Sequence, residues 1–492
     1  MKPSKPLAVI LSLLLLCLPA CAAADSGEAP QSLTLKNAGT LSLPADCSAL
    51  QTVTLINCPA MDLSPLAACP RLTSVTIVWQ DGCCGTAPYD LSPLAQCARL
   101  TSLTLQGPCV EDLTPLEAMT ALATLCVSSL AVKDYTPVTS LQLKHLSLSG
   151  VPGGQVGEIF TAIGRRLESA VIGSCTLTQE ACGAILQAAK LTSLRFEQVE
   201  GIDTAADAWT TLTNLSSLQM TGCALNSLAF LSNFVATVII KLDDVAVDGS
   251  VCSIAFDKYF LDCDNVPADA MLDFLSGSGR QWLYATVGME AGTVSKAVIA
   301  AFADIGSLLS LDVERAAADA WSADVWQGFP RLEQLKLSDS GTVDLGFIPQ
   351  LTALERLVIS NTAVTGSDAV GNLPLLTQLT LLACELDSWD FLCGLTSLTL
   401  LTAAGCNGPT TLDFAPALKH LTSLALENAP ITDLSPLTGH KLQSLYLYGC
   451  PIADYAPLTT LPNLALLSCS EDAALPQLSC RVVHARYFAF SD

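Results

Sequence analysis

Histidine is scarce in this chain. The four that occur, His145, His420, His440 and His484, are scattered, and no H-E-x-x-H, G-x-S-x-G, phosphate-loop or paired C-x-x-C spacing accompanies them. Those absences remove the usual peptidase, hydrolase, nucleotidase and zinc-ribbon chemistries. They point away from an enzyme and imply neither cofactor nor resident metal. Basic residues are also few, 23 Lys and Arg against 46 Asp and Glu, for a net charge of -23. A surface so acidic repels phosphate backbones and anionic lipid, so nucleic acid is disfavoured and cationic or neutral partners are favoured. Charged residues make up only 14% and apolar ones 51%, which excludes a disordered chain and supplies a large core. Beyond the first twenty residues no apolar run is long enough to read as a membrane span.

Those first residues are a separate matter. Lys2 and Lys5 precede LAVILSLLLLCL, an apolar run short of a comfortable span and followed by small residues, as in an export signal. Leu18-Pro-Ala-Cys21 resembles the lipobox of bacterial lipoproteins, in which the cysteine becomes the lipidated first residue, although Pro19 is an uncommon choice there. Cleavage among Ala20 to Ala24 by an ordinary signal peptidase is the alternative. The expected organisation is a signal over 1–20, a tether over 21–31, a repeat body over 32–470 and a C-terminal cap over 471–492. The expected location is extracytoplasmic, lipid-anchored or secreted. Apart from a lipid anchor, no membrane association is implied.

What the chain has in abundance is itself. Leu50-Gln-Thr-Val-Thr-Leu55 and Leu100-Thr-Ser-Leu-Thr-Leu105 are copies of one phrase, L-x-x-L-x-L-x-x-(N/C), followed by a turn and D-L-S-P-L. First leucines fall at 50, 72, 100, 122, 143, 167, 191 and 215, then at 308, 332, 354, 376, 398, 421, 442 and 464. The first, fourth and sixth places point inward and the rest outward, the alternation of a strand with one buried face. Ser64-Pro65, Ser92-Pro93, Thr114-Pro115 and Ser435-Pro436 suit a hydroxyl cap with proline in the first helical turn. One copy cannot bury its apolar face alone, so neighbours on both sides are required.

This pattern resembles the leucine-rich repeat family, and the 22-residue copies resemble the internalin type of bacterial cell-surface proteins. The resemblance covers most of Ser32 to Cys469. It implies an α/β solenoid: a curved horseshoe with a parallel sheet on the concave face and short helices and turns on the convex face. In that family the ninth place ordinarily holds asparagine, whose amide satisfies loop backbone groups. Here Cys58, Cys175, Cys223, Cys384, Cys406 and Cys450 occupy it, small buried residues with a weak donor.

Several departures carry information. Copies from Leu143 to Leu215 lengthen to 24 residues and include GEIFTAIGRRL and QEACGAILQAAKL, which predict convex helices. Between Val235 and Gly306 the phrase erodes, yet VPADAMLDFLSG and GTVSKAVIAAFADIG still read as helices and QWLYATVG as a strand. A continuous solenoid is therefore expected there, rather than an inserted domain. Another insertion, Trp79 to Tyr89, carries Cys83-Cys84, a pair open to oxidation or cross-linking. Cys69 and Cys97 share a column and lie within possible disulfide reach, although reduced buried thiols are the simpler expectation. The recurring Asp62, Asp90, Asp112, Asp134, Asp433 and Asp454 read as solvated turn and capping residues, because nothing supplies the further oxygens calcium needs. Asp339-Ser340-Gly341 resembles a serine-protease phrase only superficially and lies at a strand exit.

The outward strand places are mostly Thr and Ser. Two groups break the monotony, Lys144, His145 and Arg195 in the first half and Glu333, Lys336, Glu355 and Arg356 in the second, with Tyr446 near the C-terminal end. Charged and aromatic side chains on such a face are the usual anchors for partners. The expected function is binding of a protein or glycan at the cell envelope through the concave face. The alternative is a structural spacer with no specific ligand.

Overall fold

The computed structural model describes residues 30–79, 87–234, 239–247, 250–256, 259–267, 270, 271, 274, 275, 282–288, 294–303, 306–471 and 473–485. The signal, Cys21, most of the tether and Cys83-Cys84 lie outside them. Among the described residues a single 24-stranded sheet runs from Ser32–Lys36 to Arg481–Val483. Two of those strands, Ala224–Leu225 and Glu385–Leu386, form short rungs past the turn, pairing with neighbours beyond the main row. Apart from one inverted strand, the others stack one per copy, so that Thr54 faces Thr76, Thr76 faces Thr104 and Thr104 faces Cys126.

The core follows the leucine phrase. Leu100, Leu103, Leu105, Leu113 and Leu116 are buried, and Leu50, Val53, Leu55, Leu63 and Leu66 repeat them two copies earlier. Burying each such side chain is worth roughly 1.5 to 3 kcal/mol. Leaving the strand, the chain turns through one left-handed residue at the eighth place of the phrase. Asn57, Asn361 and Asn428 hold it with φ of 51°, 48° and 57°, and glycine holds it at Gly107, Gly150, Gly222, Gly405 and Gly449. Those residue types tolerate this conformation best.

The capping expectation needs correction. After the turn the segment Ser64–Ala68 forms a 3₁₀ helix in which the Ser64 side chain caps nothing. Asp62 does so instead, its Oδ1 accepting the Ser64 backbone N–H at 2.9 Å, and Asp90, Asp112, Asp134 and Asp433 repeat the contact at 2.8 Å. Proline in the first turn presets the backbone but leaves no room for a longer ladder of donors, and the carboxylate reaches over two residues to satisfy one.

Where copies lengthen to 24 residues, α-helices appear at Gly153–Ile163 and Gln179–Leu186. There a hydroxyl does cap, with Thr178 Oγ1 accepting the Ala181 N–H at 3.1 Å. Gly157 lets the two helices meet, since a Cβ on it would lie 2.9 Å from the Ala181 Cβ.

The sheet stays continuous through the eroded copies, with the expected strand at Tyr284–Gly288 and helix at Lys296–Ala303. Half of VPADAMLDFLSG lies outside the described residues, and Ala270, Met271, Phe274 and Leu275 within it are helical. One strand is inverted, against the expectation of parallel pairing throughout: Ser250–Phe256 runs antiparallel to Ile239–Val247 and to Phe260–Asp264. The sequence linking its first pair is Asp248-Gly249, a dipeptide that favours two-residue hairpins. Behind this region aromatics take over the volume of missing leucines. Phe256, Phe274 and Trp282 pack with ring centroids 5.2 to 6.0 Å apart. Among the described residues no helix is long and apolar enough to cross a membrane.

Candidate functional site on the concave sheet face

Three outward columns run the length of the concave face. Along the central one, register places Arg195, Gln219 and Lys241 side by side, then Ala255, Asp262, Thr286, Asp312, Lys336 and Val358. The upstream column contains His145, Ser169, Ser193, Ser217 and Ile239, and further on Phe260, Tyr284, Ser310, Gln334 and Arg356. The downstream one contains Asp264, Gly288 and, one rung on, Glu314.

Of the residues selected from sequence, His145, Arg195, Lys336, Arg356 and Tyr446 lie in these columns, whereas Lys144, Glu333 and Glu355 stand one residue before their strands, and many of them are engaged with neighbours. Lys144 Nζ pairs with Glu168 at 2.9 Å, and His145 Nδ1 lies 2.8 Å from Ser169 Oγ, each reaching one copy onward. Arg195 Nε is 2.7 Å from Glu197 Oε1 on its own strand, and that pair is largely buried. Register separates Arg195 from the His145 strand by one further strand, and the two are engaged with different partners. In the second, Glu333 and Glu355 are linked through backbone, and Arg356 Nε donates to Gln378 Oε1 at 2.9 Å. Lys336 turns the other way, 3.6 Å from Asp312 and 3.9 Å from Glu314. Tyr446 lies half-buried between Ala425 and Ser468.

The most unusual surface lies between these groups. Among the described residues the large apolar side chains exposed at 42% or more are Ile239, Val251, Tyr259, Phe260, Tyr284 and Leu375. All but Leu375 fall within the eroded copies: Ile239, Phe260 and Tyr284 in the upstream column, Tyr259 just before it, and Val251 past the turn, where it pairs with Ala246. Beside them stand Asp262 and Asp264 on one strand and Asp312 and Glu314 two strands away. Burial, with the charges of Asp264, Glu314 and Asp312, raises the Asp262 carboxyl above its ordinary range. Burial also raises that of Asp312, against the lowering effect of Lys336.

Sequence reading missed this patch because its leucines are disguised. Trp282, Ala285 and Val287 fill the places of Leu100, Leu103 and Leu105, which puts Tyr284 where most copies of the first half carry Ser or Thr. Aligning the copies on Val287 and Val313 would have revealed it.

The remaining candidates resolve into scaffold. Ser340 is buried, its Oγ donating to Ser338 O at 2.8 Å and accepting from Ala316 N at 3.1 Å. The ninth-place thiols donate to backbone carbonyls, as Cys450 to Leu426 O at 2.9 Å and Cys384 to Ile359 O at 3.2 Å. Cys69 and Cys97 carry free thiols, that of Cys69 pushed up to about 12 chiefly by burial. Among the described residues no group of three or more His, Cys, Asp or Glu could hold a metal ion.

No protein-family model matches the chain, and no curated protein matches it. Solved structures do. An internalin of Listeria monocytogenes is 18% identical over 76% of this chain and 87% of its own, with a TM-score of 0.35. A leucine-rich repeat protein of Leptospira interrogans is 16% identical over 85% and 90%, with a TM-score of 0.42. Toll, in the Drosophila Toll–Spatzle complex, is 14% identical over 89% and 64%, with a TM-score of 0.51. At such identities the likeness is one of fold. With its periodic leucine core and open, almost wholly parallel sheet, the chain is a leucine-rich repeat solenoid.

Proposed function

We propose that this protein is an exported binding scaffold, held at the cell envelope through Cys21, that grips a protein partner on its concave face. One observation carries the reading. Exposed apolar side chains are gathered on that face, at Ile239, Phe260 and Tyr284 with Tyr259 at its upstream margin, instead of being dispersed over the surface. An exposed apolar group beside charged residues is the usual mark of an interaction site, and aliphatic as well as aromatic members suit a protein better than a sugar. Toll, of the same fold, is solved bound to Spatzle.

A photo-crosslinking residue placed at Tyr284, with Glu117 on the convex side as control, tests the grip. Adducts of defined mass to a protein are expected from Tyr284 alone. Equal yields from both positions, or none from either, would return the chain to the spacer reading. Fatty-acid labelling that survives Cys21→Ala would remove the proposed anchor.

A further inference from the structure

We infer that the eroded copies form a slot for an arginine side chain carried by an extended segment of the protein partner, flanked there by apolar residues. This rests on the binding function proposed above and names what the partner must present.

The floor of the slot is low. The strand Tyr284–Gly288 offers only Thr286 and Gly288 to the concave face at its middle and downstream end. A methyl group built on Gly288 would lie 3.3 Å from Asp264 Oδ1 and 3.5 Å from Glu314 Cβ, so carboxylates from both neighbouring strands lean over the glycine. Asp262 and Asp312 flank Thr286 in the same way. At the upstream end the walls become apolar, with Phe260 and Tyr284 paired in register and Tyr259 beside them.

Among the described residues the carboxylates of the slot outnumber its cations. Asp262, Asp264, Asp312 and Glu314 face Lys336, 3.6 Å from Asp312 and 3.9 Å from Glu314, and Arg315 Nη2, 3.7 Å from Asp264 Oδ1. All three separations exceed ordinary hydrogen-bond length. Asp264 Oδ1 is itself buried and accepts no hydrogen bond among the described residues. The place therefore favours added positive charge with donors. A metal ion is disfavoured, since no suitably grouped ligand set is present among the described residues. A second copy of this chain is disfavoured by its own charge of -23. Arginine meets both ends of the slot: its planar fork donates to two carboxylates while its face stacks on Tyr284 or Phe260. Apolar neighbours in the same segment would cover Ile239 and Tyr259.

The probe is a fluorescein-labelled peptide, Gly-Trp-Arg-Leu-Arg-Gly, compared with the same peptide carrying citrulline, which keeps the shape and loses the charge. Fluorescence anisotropy with the full mature chain is expected to show at least tenfold weaker binding of the citrulline form. Similar losses of the arginine form are expected with Asp264→Asn combined with Glu314→Gln, and with Tyr284→Ser. Gly288→Leu should block the slot sterically, while Glu117→Gln, on the convex side, should leave binding unchanged. Circular dichroism identifies any variant that fails to fold, and the milder Tyr284→Ser then carries the comparison. Equal binding of both peptides, no binding of either, or indifference to the slot variants would overturn the slot. If the Tyr284 crosslinker still captures a protein under those results, the binding function stands and only the arginine assignment falls.

Discussion

Asp112 Oδ1 accepts the backbone N–H of Thr114 at 2.8 Å, and the same two-residue reach recurs copy after copy along the convex edge. The Thr114 hydroxyl, then that N–H, hold the Asp112 carboxyl below its ordinary 3.8, and serine or threonine does the same for Asp62, Asp90, Asp134 and Asp433. A carboxylate whose pKa is lowered by folding stabilises fully above the unfolded value and loses that contribution as pH falls through the folded one. Stability should therefore fall as pH drops below about 3.8, with proton uptake on unfolding. Asparagine at Asp62, Asp90, Asp112 and Asp134 keeps an oxygen acceptor without a titration. Thermal unfolding followed from pH 5 to 2.5 should show a shallower acid slope in that quadruple variant, and an unchanged slope would mean the caps are not the acid-sensitive groups.

Asp262 has the opposite sign. Its pKa is raised, so the charged form costs stability at neutral pH, and the cost fades as pH falls through the raised value. Asp262→Asn should stabilise the chain at pH 7 by a few tenths of a kcal/mol, the water that still reaches this partly covered carboxyl keeping the effect small. At pH 3.5 the gain should vanish. Denaturant midpoints at the two pH values check this. The same substitution should weaken the arginine peptide, a stability cost maintained at a binding surface.

Much of this architecture was legible because it is periodic. Leu100, Leu103 and Leu105 are buried as the alternation requires, and Cys450 stands where an asparagine donor would. The inward lean of Arg195 toward Glu197 was in principle visible too, since residues two apart on a strand share a face. Two features were hidden for physical reasons. A Ser-Pro step fits the first turn of an α-helix or a 3₁₀ helix equally well, and only backbone geometry shows that Asp62 rather than Ser64 supplies the cap. The slot was concealed because Trp282 replaces a leucine while Ala285 gives up volume, which keeps the core filled but breaks the leucine rhythm.

The eighth place offers a gain in stability. Ala383 adopts φ 49° where Gly405 adopts 66° and Asn361 48°. A left-handed alanine is strained by about 1 kcal/mol or more, part of which glycine gives back through greater freedom in the unfolded chain. Ala383→Gly should raise stability by about 0.5 to 1 kcal/mol, read as a higher denaturant midpoint at constant slope. Gly405→Ala should lower it by a similar amount, and matching signs for the two changes would refute the account.

The thiol ladder predicts a graded loss. Cys450 is buried, and its Sγ donates to Leu426 O of the preceding copy at 2.9 Å, closing the turn between adjacent copies. Burial pushes that thiol up to about 11, so it stays protonated and remains a donor throughout the physiological range. Cys450→Ala leaves the carbonyl without this donor and should cost about 1 to 2 kcal/mol. Cys450→Ser keeps a donor at the same place, though a shorter and more polar one, and should cost less. Because each copy leans on its neighbours, the alanine change should also speed amide exchange in the strands on both sides, Ser423–Glu427 and Leu466–Ser468. Equal losses from alanine and serine would show that the cysteine acts by filling space alone. A greater loss from serine would show that polarity, not the missing donor, governs the position.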